Sequence, residues 1–262
     1  MEHLASHGFV VASPEHVGNS QSSPGDPFDV AAGHLVPDVS FLVDTMVAKQ
    51  RDPTDPFAGR LDEDHVSVVG HSFGGMTALG AAAGWAGAPP DRRVVAIVAI
   101  SAVIDGDLQR TERSGPNAGF APASLAALEI PVMLMGGTED VDVPIANNAL
   151  AFEQLTAAPA VYEVSIVGAN HNHFAAVGAF GDLLLGLGFD PQQWASIGAG
   201  DLLEPYESTC APGAFPIGAV VRLQCLCTVA FLRRHQVGDV RYGRYLTDEA
   251  AGHEPAVGFR SR

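Results

Sequence analysis

A serine at the centre of a Gly-x-Ser-x-Gly motif is the residue of this sequence best suited to nucleophilic chemistry. Ser72 is flanked by Gly70 and Gly74, in the run Gly-His-Ser-Phe-Gly. In a nucleophile elbow this spacing places the serine on a sharp turn between a strand and a helix. The two glycines then keep side chains out of the space where strand and helix approach each other. Because the chain contains 29 glycines, the motif needs support from its flanking residues.

The residues on both sides of Ser72 predict the elements that such an elbow requires. The valine-rich segment 66–69 predicts a buried strand before it, and the alanine-rich segment 76–83 predicts a helix after it. The first turn of that helix offers unpaired backbone N–H groups to a developing oxyanion, and we expect the N–H of Phe73 to be one donor. We therefore interpret Ser72 as a nucleophile and not as part of a structural glycine turn.

A serine nucleophile needs an imidazole base and a carboxylate that orients the imidazole. In chains with this elbow the order is serine, acid, histidine, each on a loop that follows a strand. Asp140 follows the predicted strand 131–135 and is the predicted acid. Glu139 and Asp142 are close rivals, and Asp105, which follows the preceding strand, is the structural alternative.

His171 is the predicted base, since it follows the predicted strand 160–167 and has small residues next to it. Such neighbours suit an imidazole that must turn toward an exposed serine. We prefer His171 to His173, which lies two residues further along. His71, inside the elbow, is expected to pack or form a hydrogen bond beside the nucleophile and not to act as the base.

Strand and helix patterns alternate along the chain, which predicts a mostly parallel, doubly wound sheet in one α/β domain spanning residues 1–262. Segment 17–33 is rich in Ser, Pro, Gly and Asp and predicts a loop, and segment 173–216 breaks the alternation and predicts a small cap or irregular insertion. The predicted strands are 9–12, 66–70, 94–100, 131–135 and 160–167, and the predicted helices are 34–50, 76–83, 145–155 and 218–235.

Composition limits the partners and cofactors that we expect. The formal net charge is −16 and Lys49 is the only lysine, which disfavours nucleic acid and anionic membrane surfaces. No apolar run approaches the roughly 18 residues of a membrane span, and no signal peptide is recognisable. No cofactor-binding glycine motif and no metal-ligand spacing is present, so we expect no cofactor and no metal. The expected partner is a small-molecule or lipid-like ester.

Three cysteines lie in the last quarter of the chain, at Cys210, Cys225 and Cys227. They are interpreted as three buried thiols, with a disulfide from Cys210 to one of the other two as the alternative. Such a disulfide would imply an oxidising compartment. The acidic surface and this pairing favour a secreted or periplasmic location over a cytoplasmic one.

The sequence resembles bacterial α/β-hydrolases, and among them the esterases similar to platelet-activating-factor acetylhydrolase and to dienelactone hydrolase. The resemblance runs over residues 4–174 and again over 210–245. The residues that carry it are Leu-Ala-Ser-His-Gly-Phe-Val-Val-Ala at 4–12, Glu-His at 15–16, Gly-His-Ser-Phe-Gly-Gly at 70–75, and His171 with Phe174.

This resemblance implies an α/β-hydrolase fold and esterase or lipase activity. It gives Ser72, Asp140 and His171 the triad roles and makes the N–H of Phe73 one oxyanion donor. In the acetylhydrolase branch the acid follows the earlier strand, which supports Asp105.

One part of the family pattern has no counterpart in this sequence. Family members carry, before the segment that corresponds to residue 4, a central strand and a His-Gly-type loop that supplies the second oxyanion donor. We therefore expect the N-terminal strands to be missing, with a gap in the sheet between strands 9–12 and 66–70. Either the true start lies upstream of Met1, or another backbone N–H substitutes, such as one from the loop after Ser13.

These observations predict a serine hydrolase that cleaves carboxylic esters through an acyl-enzyme. A truncated or non-catalytic α/β-hydrolase-like binding protein is the alternative from another class, because the oxyanion site would be incomplete. Acyl transfer to an alcohol in place of water is a third possibility with the same triad.

Overall fold

A five-stranded mixed sheet forms the centre of the computed structural model, which describes residues 1–20, 25–109, 115, 117–210 and 212–262. The strand order equals the chain order, and the first four strands are parallel to one another, whereas the fifth is antiparallel to the fourth. The strands are β1 (Val66–His71), β2 (Val94–Ile100), β3 (Val132–Gly137), β4 (Val161–Ile166) and β5 (Val257–Ser261).

Helices separate the parallel strands and cover both faces of the sheet, as expected for a doubly wound arrangement. The α-helices are α1 (Glu2–Ser6), α2 (Phe28–Arg51), α3 (Phe73–Ala83), α4 (Pro122–Ala126), α5 (Ala146–Gln154), α6 (Val177–Gly186), α7 (Leu203–Cys210), α8 (Ile217–His235) and α9 (Asp248–Gly252). Short 3₁₀-helices occur at Gly106–Leu108, His171–Phe174, Pro191–Ile197, Gly200–Leu202 and Val240–Tyr245. The predicted α/β-hydrolase fold class is confirmed.

Two apolar clusters pack against opposite faces of the sheet. One joins α2 and α3 to side chains of β2 and β3, with Leu35, Leu79 and Ile97 among its buried members. The other joins α8 to the opposite side chains of β2, β3 and β4, and includes Phe231. Because β2 and β3 are buried on both faces, their sequences are continuous apolar runs without alternation.

Residues 9–12 do not form the predicted strand, and this expectation was wrong. They have no regular secondary structure, and Val10 is 52% exposed. An apolar run becomes a strand only when a neighbouring strand pairs with its backbone. Within the described residues β1 pairs with β2 alone, so the expected gap between strands 9–12 and 66–70 does not arise either.

The predicted strand before Ser72 exists as β1, but it is an edge strand and not a buried one. Val69 is 38% exposed, and the remaining residues of β1 are half-buried. An edge position leaves one side of the strand without a neighbouring strand, and this reduces its burial. The strand that leads into Ser72 is thus the least buried of the parallel strands.

Helix α2 begins six residues before the predicted start at residue 34, so part of the predicted loop 17–33 is helical, whereas residues 21–24 lie outside the described residues. Its length and mean hydropathy of 1.3 would suffice to cross a membrane, although the sequence was not expected to contain such a segment. Its buried side, which includes Leu35 and Val36, packs into the core against α3.

Residues 173–216, predicted as a cap or irregular insertion, contain α6, α7 and short 3₁₀ turns, with residue 211 outside the description. All three cysteines are free thiols with half-buried side chains. The disulfide alternative is therefore wrong for this structure, and the argument for an oxidising compartment that rested on it falls away.

Candidate active site

Ser72 occupies the turn between β1 and α3 with a backbone φ of 57°, a conformation that non-glycine residues seldom adopt. Its N–H donates to the carbonyl of Ile100 on the adjacent strand at 2.8 Å. A Cβ on Gly70 would overlap the Gly74 backbone, and one on Gly75 would lie 2.8 Å from the Ile100 oxygen. The glycines are thus required by the close approach of strand, helix and neighbouring strand, as in a nucleophile elbow.

Asp140, which is buried, and His171, which is half-buried, form a hydrogen-bonded pair beyond the ends of β3 and β4. Nδ1 of His171 lies 2.8 Å from Oδ2 of Asp140, and Asp140 is 4% exposed. Burial raises the pKa of the Asp140 carboxyl, but the hydrogen bond and positive charge of His171, with the Val143 N–H, outweigh it and lower the pKa overall. The carboxylate is therefore ionised at neutral pH and can fix the orientation of the imidazole.

Backbone hydrogen bonds tie the loop of the acid to the loop of the base. The Glu139 N–H donates to the Ala169 carbonyl at 2.9 Å, and the Gly168 N–H donates to the Thr138 hydroxyl at 3.0 Å. Asp140 further accepts the N–H of Val143 through Oδ1 at 2.8 Å. The two loops therefore hold their side chains in a fixed mutual position.

The turn that carries His171 is fastened by Asn170 and His173. The Asn170 side chain accepts the N–H of Asn172, and the Asn170 N–H donates to Nδ1 of His173 at 3.0 Å. Nε2 of His173 lies 2.9 Å from the Phe215 carbonyl, so it donates to the segment that precedes α8. His173, the rival base, is only 1% exposed and anchors the turn instead of facing the pocket.

His71 packs directly against the candidate base, as the sequence predicted for a neighbour of the nucleophile. Its ring centroid lies 4.5 Å from that of His171 and 6.0 Å from that of Phe174. Burial, together with the positive charge that His171 can carry, lowers the pKa of His71 to about 3. His71 thus adds an uncharged imidazole beside His171.

Ser72 and His171 line one cavity of about 240 Å³ whose wall combines polar and apolar side chains. The other lining residues are Phe28, Phe73, Met76, Val103, Gln109, Ala118, Asp142 and Val143. A separate groove of about 350 Å³ lies against α2 and is lined largely by charged side chains. Because the smaller cavity brings a strained serine and an imidazole together beside apolar side chains, it is the candidate active site.

The remaining predicted acids lie in other positions. Asp105, the structural alternative, is exposed, and its carboxylate accepts the N–H of Asp107 in a local cap. Asp142 lines the cavity, whereas Glu139 is exposed and contributes its backbone N–H to the loop contact described above. Asp140 is the candidate acid whose carboxylate forms a hydrogen bond with His171.

Three residues near the site have no signal in the local sequence. Phe28 reaches the cavity from the start of α2, where its ring stacks on Phe73 with centroids 4.9 Å apart. Gln109 lines the cavity with a buried Nε2 that has no hydrogen-bond partner in the described part of the chain. Ser101, after β2, is buried close to Asp140. Their relation to the site depends on tertiary packing.

In the described part of the chain no group of three or more His, Cys, Asp or Glu side chains is arranged to hold a metal ion. The serine elbow, the histidine–carboxylate pair and the parallel sheet together define an α/β-hydrolase. A family model described as Chlorophyllase matches residues 1–153, more than half of the chain, and the protein belongs to that family. It is therefore an α/β-hydrolase of the ester-hydrolase class. No curated protein is similar enough to count as a relative.

Proposed function

We propose that this protein is a serine hydrolase that cleaves carboxylic esters, with Ser72 as nucleophile, His171 as base and Asp140 as acid. The observation that carries the proposal is that Ser72 and His171 line one cavity while His171 is held by buried Asp140. The family match includes Ser72 and Asp140 but ends before His171, so the base is assigned on geometry alone.

In the proposed reaction, the Ser72 hydroxyl attacks the ester carbonyl carbon as His171 removes its proton through Nε2. The tetrahedral intermediate collapses when His171 returns that proton to the leaving alcohol, which leaves an acyl group on Ser72. A water molecule, deprotonated by His171, then attacks the acyl-enzyme, and His171 returns the proton to Oγ of Ser72 as the carboxylic acid is released. Asp140 accepts the Nδ1–H of His171 throughout and stabilises the imidazolium that forms at each step.

Two donors support the proposed oxyanion. Phe73 is the first residue of α3, so its N–H has no intrahelical acceptor and is available to the developing charge. The amide Nε2 of Gln109, which lacks a partner in the described chain, is the proposed second donor, a role that side-chain amides can fill. It takes the place of the backbone donor expected from the loop after Ser13, since no residue of 13–20 is among those that line the cavity.

Mass spectrometry after incubation with a fluorophosphonate probe tests the proposal, because the probe phosphonylates only an activated serine. We expect one adduct, located on Ser72, and loss of the adduct in Ser72→Ala. Ser124→Ala, in α4 and away from the cavity lining, is the control and should label like the unaltered protein.

Hydrolysis of p-nitrophenyl esters of increasing chain length, with chlorophyll included because of the family name, then defines the substrate. A folded protein without an adduct on Ser72 and without ester turnover would overturn the proposal and favour the non-catalytic binding protein. Products formed only when an alcohol is added would favour acyl transfer.

A further inference from the structure

Ser101 is a strained and buried serine that the proposed triad does not use. It directly follows β2, has a backbone φ of 46°, and is 2% exposed. Its N–H donates to the Met135 carbonyl at 2.8 Å, which holds it against β3. A non-glycine residue in the left-handed region costs free energy, and such residues persist where the surrounding structure enforces them, often at functional sites.

The topology places Ser101 beside the candidate acid. β2 and β3 are parallel neighbours, so the residues that follow them emerge at the same edge of the sheet. Ser101 is the first residue after β2, and Asp140 is the third after β3. The Ser101 hydroxyl is near enough to the Asp140 carboxylate to be among the groups that lower the pKa of that carboxyl, after burial, which raises it, and His171.

The hydroxyl of Ser101 is a buried donor without a hydrogen-bond partner in good geometry among the described residues. Nδ2 of Asn148 is a second such donor. Both border Gly136, where an added Cβ would lie 3.0 Å from Asn148 Nδ2 and 3.7 Å from Ser101 Oγ. Unpaired buried polar groups are uncommon in native proteins and call for an explanation at the place where they occur.

We propose that Ser101 is a positioning residue that directs its hydroxyl at the Asp140 carboxylate and thereby holds this acid in the orientation that aligns His171. The inference rests on the proposed function, since Asp140 has this role only if His171 is the base. The positive φ of Ser101 is part of this proposal. A residue with ordinary extended backbone at the end of β2 would not hold the hydroxyl beside the Asp140 carboxylate.

Three variants separate this role from a purely structural one. Ser101→Gly removes both the hydroxyl and the backbone strain, and Ser101→Ala removes the hydroxyl but keeps the strain. The matched control is Ala86→Gly, because Ala86 also has a positive φ, 51°, and lies in the turn between Trp85 and Ala88 outside the cavity lining.

We expect both Ser101 variants to lower kcat about 10-fold with KM unchanged, the effect of losing one hydrogen bond to a charged group. The acid limb of the pH profile should move to higher pH, because an Asp140 carboxylate without this donor carries more of its negative charge toward His171 and so favours the protonated imidazole, which cannot act as the base. His171 and His71 are the titratable groups that act on Asp140, and neither is altered in these variants. Ser101→Gly and Ala86→Gly should each raise the melting temperature by about 2–4 °C, as relief of strain predicts.

Ser101 variants with kcat within twofold of the unaltered enzyme and an unshifted acid limb would overturn the proposal. So would a loss of kcat accompanied by a lower melting temperature and a raised KM, which would indicate a structural role. Failure of the proposed function is distinguishable, since the unaltered protein would then carry no fluorophosphonate adduct on Ser72. In that case the low-field NMR signal of the His171 Nδ1 proton still tests the positioning role, and an unchanged signal in Ser101→Gly would reject it.

Discussion

Asp140 divides its two carboxylate oxygens between His171 and its own loop. Oδ2 lies 2.8 Å from Nδ1 of His171, whereas Oδ1 accepts the N–H groups of Asp142 and Val143 at 3.1 and 2.8 Å. The same carboxylate therefore fixes the turn on which it lies and the imidazole that it faces. An isosteric substitution at Asp140 would preserve most of the hydrogen bonds that fix the turn but would remove the negative charge that faces the imidazole.

Asp140→Asn should lower kcat about 10³–10⁴-fold with little loss of stability, because an amide can accept the loop N–H groups but does not stabilise an imidazolium. Asp105→Asn is the matched comparison, since it tests the acid position that the acetylhydrolase resemblance supports. We expect it to stay within about twofold of the unaltered enzyme, because Asp105 caps a local turn. Steady-state kinetics with a p-nitrophenyl ester provides the measurement, and a larger effect at Asp105 than at Asp140 would reverse the assignment.

Gln109→Leu should lower kcat/KM about 10²-fold, mainly through kcat, if its amide supports the oxyanion. Leucine is close to glutamine in size and lies beside the apolar side chains of Val103 and Ala118 in the cavity lining, so substrate binding should change little. Gln109→Glu is the companion variant and should be at least as impaired, since a carboxylate beside the oxyanion repels it. An effect confined to KM in both variants would place Gln109 in ground-state binding and leave the second donor to another group.

The packing of the segment after His173 can be tested with two glycines of α6. A Cβ on Gly181 would overlap the ring of Tyr206 in α7, whereas one on Gly186 would have no atom within 4 Å. Gly181→Ala should therefore lower the free energy of unfolding by about 1–3 kcal/mol, and Gly186→Ala should raise it by up to about 1 kcal/mol. Chemical denaturation measures both, and equal stabilities of the two variants would contradict the α6–α7 packing.

The protein should lose stability as the pH falls below 6.5. Burial lowers the pKa of His71 to about 3 and of His235 to about 4, with the positive charges of His171 and Arg234, respectively, acting in the same direction. Between pH 4 and 6.5 the unfolded chain binds two protons that the folded chain excludes. The free energy of unfolding therefore falls on acidification by at most about 2.7 kcal/mol per pH unit.

Urea denaturation at pH 7, 6 and 5 measures this slope. His71→Gln and His235→Gln should each reduce it by about half, because each variant removes one excluded proton. His253→Gln, at the exposed end of α9, is the control and should leave the slope unchanged. A slope that neither of the first two variants reduces would show that these imidazoles are not buried in their neutral form.

The local pattern of apolar residues predicted most strands of the sheet and the loops on which the candidate site residues lie. The runs at 94–100 and 131–135 are apolar at every position because their strands are buried on both faces, and this signal does not depend on distant residues. The sequence places Asp140 and His171 after predicted strands, and those strands exist as β3 and β4. The hydrogen bond between them is a finding of the structure, and their catalytic roles remain predictions.

The failures of prediction concern features that depend on a partner elsewhere in the chain. Segment 9–12 has the apolar pattern of a strand, but no neighbouring strand pairs with it in the described chain. β5 is short and has only two apolar side chains, Val257 and Phe259, yet it pairs with β4 and places Arg260 beside Glu163. The start of α2 was missed because residues 17–33 are rich in loop formers, whereas the packing of Phe28 on Phe73 favours a helix from that point.

The cavity wall and the candidate acid and base come from different segments of the chain, and this separation matters for redesign of the enzyme. Phe28, Val103, Gln109 and Ala118 come from the start of α2 and from the segment between β2 and α4, whereas His171 and Asp140 lie on loops tied to each other. Substitutions of the apolar wall residues therefore change the shape of the cavity. They do not alter the loops that position Asp140 and His171. A library confined to Phe28, Val103 and Ala118, with Gln109 kept as the proposed oxyanion donor, is therefore a route to altered substrate range that leaves the proposed catalytic residues unchanged.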